Sequence, residues 1–134
     1  MIAVIDASVL VDYLLDLEHA SPASRYLQQY AGQMHVPQLI FPETLSALRR
    51  LAHRRKVTVE RLQQAVSELP DLPARRWDLE PLVLRAWAMH DNVSAYDAFY
   101  VALAQTLGAR LITTDARLAR AVKANNFCPV DLAA

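Results

Sequence analysis

Hydrophobic positions along the chain alternate between short unbroken runs and stretches in which they recur every three or four residues. Met1 to Asp6 is such a run and predicts a buried strand, whereas from Ala7 to Leu15 the spacing of Val9, Leu10, Tyr13 and Leu14 is helical. Ser21 to Ala31 predicts a second helix, with Ser21 as N-cap and Pro22 at the first helical position, and Met34 to Pro37 predicts a second strand. Leu45, Leu48, Leu51 and Ala52 mark a helix from Leu39 to about Arg55. Thr58 caps another that runs to Leu69, and the two read as a helical hairpin. Arg75 to Leu79 then predicts a third strand, Pro81 to His90 a helix opening at its proline, and Ala95 to Leu107 a helix stopped by Gly108. Arg110 to Thr114 reads as a strand, Asp115 to Ala124 as a helix and Phe127 to Leu132 as a last short strand.

Strands that alternate with helices imply parallel pairing, because parallel neighbours need the crossovers that helices supply. The expected class is α/β: a mostly parallel central sheet of four to five short strands, flanked by about seven helices. With 134 residues, 54% of them hydrophobic, the chain can bury one substantial core but is short for two, so a single domain over 1–134 is expected. The apolar first residues lack a basic leader and are broken by Asp6 and Asp12, which argues against a signal peptide or a membrane span and for the cytoplasm. Cys128 is the one cysteine; it has no disulfide partner and reads as a small buried thiol.

Charge changes the picture more. Fourteen basic residues balance fourteen acidic ones, which excludes the overall positive field of a sequence-tolerant nucleic-acid binder and leaves only local or metal-mediated contacts. Four of the acids stand where an α/β sheet keeps its chemistry, at strand ends and helix starts. Asp6 ends the first strand, Asp115 ends the strand RLITTD, and Glu43 and Asp97 fall in first helical turns. Any one of them alone is explained by capping or by the helix dipole. Four converging on one sheet edge would repel one another unless a cation neutralised them, and oxygen-only ligands select hard ions such as Mg²⁺ or Mn²⁺.

These positions carry a resemblance. Asp6-Ala7-Ser8 after the first strand, Pro42-Glu43 opening a helix, the run from Asp97 to Ala104 and the run from Leu111 to Asp115, in this order and spacing, resemble a PIN-domain protein. The nearest resemblance is to the VapC-type toxins of prokaryotic toxin-antitoxin pairs. The resemblance implies a PIN-like fold over nearly the whole chain and endoribonuclease activity, with Asp6, Glu43, Asp97 and Asp115 holding one or two divalent metals and Ser8 and Thr113 as supporting hydroxyls. It further implies products with 5′-phosphate and 3′-hydroxyl ends, a homodimer and a cognate antitoxin. Many relatives carry another acid shortly after the position of Asp115; Ala116, Arg117 and Leu118 stand there instead.

Among the other chemistry-bearing residues, Arg50 and Arg54 lie on one helical stripe with Glu43 and are candidates for contact with RNA, although cations near a helix C-terminus also complement its dipole. Arg75 and Arg76 carry less weight. The four scattered histidines lack the spacing of a zinc pair, and no nucleophile elbow or glycine-rich phosphate loop is present. Trp77, Trp87, Phe99 and Tyr100 read as packing. Two other functions compete: a Mg²⁺-dependent phosphohydrolase with Asp6 as nucleophile, against which Ser8 speaks, and a non-catalytic module that binds RNA or protein.

Overall fold

Strands and helices follow one another in the order that the hydrophobic pattern predicts. The computed structural model describes Met1 to Ala134. The strands are β1 (Ala3–Ile5), β2 (Met34–Pro37), β3 (Arg75–Trp77), β4 (Arg110–Thr113) and β5 (Val130–Leu132). The α-helices are α1 (Ala7–Leu15), α2 (Pro22–Gln29), α3 (Ile40–His53), α4 (Val59–Glu68), α5 (Val83–Trp87), α6 (Ala95–Leu107) and α7 (Ala116–Ala124).

All strand pairs are parallel, in the spatial order β3-β2-β1-β4-β5. Ala3, Val4 and Ile5 of the central β1 are at most 1% exposed, which requires cover on both faces and explains why this strand reads as an unbroken apolar run. Helix α6 supplies much of that cover: Ala98 and Tyr100 to Ala104 are all buried, and it packs on β1, β2 and β4. Its end is set by Gly108, at φ 62°, where Ala109 N–H reaches back to the carbonyl of Ala104 at 2.8 Å. Only glycine takes that left-handed conformation without strain.

Several boundaries differ from the sequence reading. The helix expected from Pro81 to His90 is a 3-10 turn, Glu80–Leu82, followed by the five residues of α5. The first strand loses Met1, Ile2 and Asp6, the third ends at Trp77 instead of Leu79, and the last covers Val130–Leu132 alone, since only those residues pair with β4. Ser21, Thr58 and Asp115 cap their helices through their side chains, as expected. No helix is long and apolar enough to cross a membrane.

Two arginines hold the scaffold. Arg61 on α4 donates to the Leu14 carbonyl at the end of α1 at 2.6 Å, and Arg76 donates to the carbonyls of Pro70, Leu72 and Ala74. Arg76 is therefore occupied by its own backbone surroundings. Cys128 is half-buried and its thiol is pushed up to about 11 by burial, which leaves it protonated and inert at neutral pH.

Candidate active site

From β1 the chain moves outward to β2 and β3, then crosses back to lay β4 on the other side of β1. At such a reversal the two crossovers leave a crevice beyond the carboxyl ends of the strands. Asp6 follows β1 and Asp115 follows β4, the two strands at that point. Glu43 enters from the first turn of α3, which follows β2, and Asp97 from the first turn of α6. All four acids line one cavity of about 410 Å³, together with Ser8, Asp12, Arg50 and Tyr100.

Asp6 is the fixed point. It is 5% exposed. Its Oδ1 accepts the Ser8 hydroxyl at 2.5 Å and the Val9 N–H at 3.2 Å, while Oδ2 accepts the Thr113 hydroxyl at 2.5 Å. Each hydroxyl is itself committed, because Ser8 Oγ accepts Thr114 N–H at 3.1 Å and Thr113 Oγ1 accepts Asp115 N–H at 3.0 Å. With amides feeding their lone pairs, both hydroxyls point their protons at Asp6. The expected supporting roles of Ser8 and Thr113 thus have a geometry: they join the ends of β1 and β4 through one carboxylate.

These bonds favour the charged carboxylate, yet Asp6 is raised from 3.8 to about 6. Burial is the largest cause, and the neighbouring Asp97 adds to it. Asp97 is also raised, by burial first, with a hydrogen bond from Ser94 opposing and the charge of Asp115 reinforcing. Glu43 is raised by burial and by Asp97, offset by the Tyr100 hydroxyl, which donates to its Oε1 at 2.6 Å. Asp115 is exposed; its Oδ1 caps α7 by accepting Arg117 and Leu118 N–H at 2.9 and 3.3 Å. Capping and membership of the cleft, which compete as explanations in the sequence, coexist in this residue.

The donor set fits a hard divalent cation in kind. It is oxygen-only, and three of its members are pushed toward protonation, by burial first and by neighbouring acids second. A carboxylate offers roughly four lone-pair sites. Oδ2 of Asp6 keeps one beside the Thr113 bond, and neither Oδ2 of Asp115 nor Oε2 of Glu43 accepts any protein hydrogen bond. As they stand, no three of the acids are close enough to enclose one ion. An ion held here would need the carboxylates to rotate toward one another.

Arg50 lines the cleft, whereas Arg54, one turn further along α3 and exposed, does not. No histidine lines it; His35 instead accepts the Trp77 indole N–H at 2.9 Å. The reading of the aromatics needs correction at two positions. Tyr100 is buried as expected, but its hydroxyl serves the site. The signal for this in the sequence is its position three residues after Asp97, which puts both on one helical face. Trp87 is 67% exposed and stacks on His90 with ring centroids 4.2 Å apart and planes at 5°. Asp12 on α1 lines the cleft as well, and nothing in the sequence separates it from an ordinary exposed acid.

Known proteins share this chain's family and fold. The PIN domain family model matches residues 3–124. Ribonuclease VapC3 of Mycobacterium tuberculosis is 40% identical over 118 residues, which cover 88% of this chain and 85% of that one. Ribonuclease VapC9 of the same organism is 39% identical over 100 residues, 75% of this chain and 77% of its own. Among solved structures, PAE2754 from Pyrobaculum aerophilum superposes with a TM-score of 0.71 at 21% identity, over 98% of this chain and 84% of that one. DNA-bound VapBC from Salmonella typhimurium gives 0.70 at 9% identity, over 100% and 99%. The parallel order, the acids at its reversal point and these matches make the chain a member of the PIN domain family, in its VapC group.

Proposed function

We propose that the protein is a Mg²⁺- or Mn²⁺-dependent endoribonuclease and the toxin of a toxin-antitoxin pair. The observation that carries the reading is the meeting of Asp6, Glu43, Asp97 and Asp115, from four separate elements, in one cleft where burial and mutual repulsion raise three of them. Relatives at about 40% identity bear the name ribonuclease, which supports RNA as the substrate. Solved VapBC complexes of the same fold support a cognate antitoxin. A homodimer in the cytoplasm completes the proposal.

Hydrolysis of a phosphodiester needs an activated water, relief of charge on the transferring phosphate and a stabilised leaving oxygen, and a bound divalent ion supplies charge for all three. The protein's share is placement. Asp6 and Asp97 are the direct ligands, Asp6 immobilised by its two committed hydroxyls. Glu43 and Asp115 would act as further ligands or orient the attacking water; Tyr100 holds one Glu43 oxygen and leaves the other without a protein hydrogen bond. Because water attacks and not the adjacent 2′-hydroxyl, the products end in 5′-phosphate and 3′-hydroxyl.

Purified protein is incubated with end-labelled total RNA in Mg²⁺, Mn²⁺ or EDTA, beside folded Asp6→Ala and Asp97→Asn variants. Cleavage that disappears in EDTA and in both variants supports the reading. Cleavage that survives EDTA, or fragments ending in 2′,3′-cyclic phosphate, rules it out.

A further inference from the structure

We propose that β3 takes the place of a capping side chain for α3, and that the bond from the Trp77 indole to His35 is its latch: while the bond is made α3 holds Glu43 at the cleft, and protonation of His35 releases it. His35 and Trp77 are in this sense positioning residues. For what Glu43 does there, the inference rests on the metal-dependent reading; the latch itself is a matter of hydrogen bonds.

Helix α3 begins differently from its neighbours. Asp6, Ser21, Thr58, Ser94 and Asp115 cap α1, α2, α4, α6 and α7 through their side chains, whereas Leu39, at the start of α3, has no such bond to offer. Yet α3 carries Glu43 in its first turn, so its start decides where that carboxylate lies. Strand β3 supplies the missing support. The Trp77 carbonyl accepts Gln38 N–H at 2.9 Å, the Gln38 carbonyl accepts Phe41 N–H at 3.3 Å, and the Leu39 carbonyl accepts Glu43 N–H at 3.2 Å. Beside this run Arg76, already tied to three carbonyls, lies over the Phe41 ring with its guanidinium carbon 5.2 Å from the centroid.

By itself β3 is a weak anchor, three residues long and at the edge of the sheet, with β2 as its one partner strand. Trp77 is held through its side chain. The indole N–H donates to Nδ1 of His35 on β2 at 2.9 Å, and the Arg75 guanidinium carbon lies 5.1 Å from the indole centroid. An indole nitrogen only donates, so this bond needs the neutral His35 tautomer with its proton on Nε2. A proton on Nδ1 turns the acceptor into a second donor and sets a positive charge opposite Arg75, which faces His35 across the strand pair. Of the other elements packed on β2, β1 brings no titratable side chain and α6 brings Tyr96, Asp97 and Tyr100 in its first two turns. Burial first and Arg75 second are what move His35, both to below its ordinary 6.5. The neutral form is therefore the one the fold favours: the latch is closed above pH 6.5 and opens as pH falls through the lowered value.

Amide hydrogen exchange, read by NMR on the full chain, follows the latch without any metal. At pH 7, Trp77→Phe and His35→Leu lower the protection of Gln38, Phe41 and Glu43 by about 2- to 10-fold relative to the amides of α1 and α6, as loss of one hydrogen bond should. His35→Asn keeps an acceptor near the place of Nδ1 but cannot titrate, and it preserves that protection. At pH 5 the wild type loses it and His35→Asn does not. Mg²⁺ calorimetry is the second readout, taken as a difference between wild type and His35→Asn because the cleft acids titrate in the same range. The two agree at pH 7, and by pH 5 the wild type has weakened about 10-fold more, as a metal site does when a ligand loses its orienting partner. The proposal fails if Trp77→Phe and His35→Leu lower the melting temperature while these three amides stay in step with the rest of the fold, or if wild type and His35→Asn respond to pH alike. The expected exchange pattern in a wild-type protein that binds no Mg²⁺ upholds the latch and removes the metal-dependent reading instead.

Discussion

Asp6 and Asp16 flank the same helix, α1, and both accept several hydrogen bonds, yet the protein treats them in opposite ways. Asp16, partly open to water, takes Ser21 N–H at 2.8 Å and the Ser24 hydroxyl at 2.7 Å, and these bonds hold it well below the usual carboxylate range. Asp6 takes three bonds and rises to about 6, because burial outweighs them. An acid that has been pulled down is satisfied; it ties α1 to α2. An acid that stays high despite three donors lacks positive charge, and that deficit marks the functional group more reliably than the number of its bonds.

The contrast is broken most severely by removing one of the proposed metal ligands. Asp97→Asn should cost about 10²-fold to 10³-fold or more in cleavage, in line with loss of a main source of transition-state stabilisation, while Asp16→Asn leaves the cleavage rate unchanged. A wild-type rate in Asp97→Asn would separate the raised acids from the chemistry altogether.

Next in size is stability. Because the folded protein prefers Asp6 protonated, this group's contribution is most favourable below pH 3.8 and is lost as pH rises through about 6. At pH 7 the charged carboxylate then costs the metal-free fold roughly 3 kcal/mol, because each tenfold change in proton affinity is worth about 1.4 kcal/mol. Asp6→Asn should therefore raise the metal-free melting temperature at pH 7 and change it little at pH 4. Mg²⁺ should stabilise the wild type more than the variant. Equal melting temperatures at pH 7 would show that the three donors, and not burial, dominate at Asp6.

Smaller again is Tyr100→Phe, which deletes the donor to Glu43 and keeps the packing. About 10- to 100-fold in metal affinity or rate is expected from the loss of a group that orients a ligand, read by calorimetry and by cleavage. Smallest is Asp16 itself. Its folded state favours the charged form, so its stabilisation is present above pH 3.8 and fades as pH falls. Asp16→Asn should lower the melting temperature slightly at pH 7 and make no difference in strong acid.

Much of this is legible along the chain. The strand-to-helix alternation, the caps at Ser21, Thr58 and Asp115, and the four acids can be read because each depends on local chemistry or on a spacing of a few residues. What cannot be read depends on neighbours far away in sequence. The cleft-facing role of Tyr100 needs Glu43, 57 residues distant, and the exposure of Trp87 depends on which side of α5 packs against α6. Arg50 and Arg54 share a helical stripe, but only the folded position of α3 shows that the cleft reaches one and stops before the other.

The bond from Thr113 to Asp6 spans 107 positions of the chain. Translation delivers Asp6 well ahead of Thr113 and Asp115, so a growing polypeptide carries its first acid long before the hydroxyl and the neighbouring acid that complete its setting. The cleft is complete only when β4 has left the ribosome and paired with β1, bringing Asp115 to the acids already made.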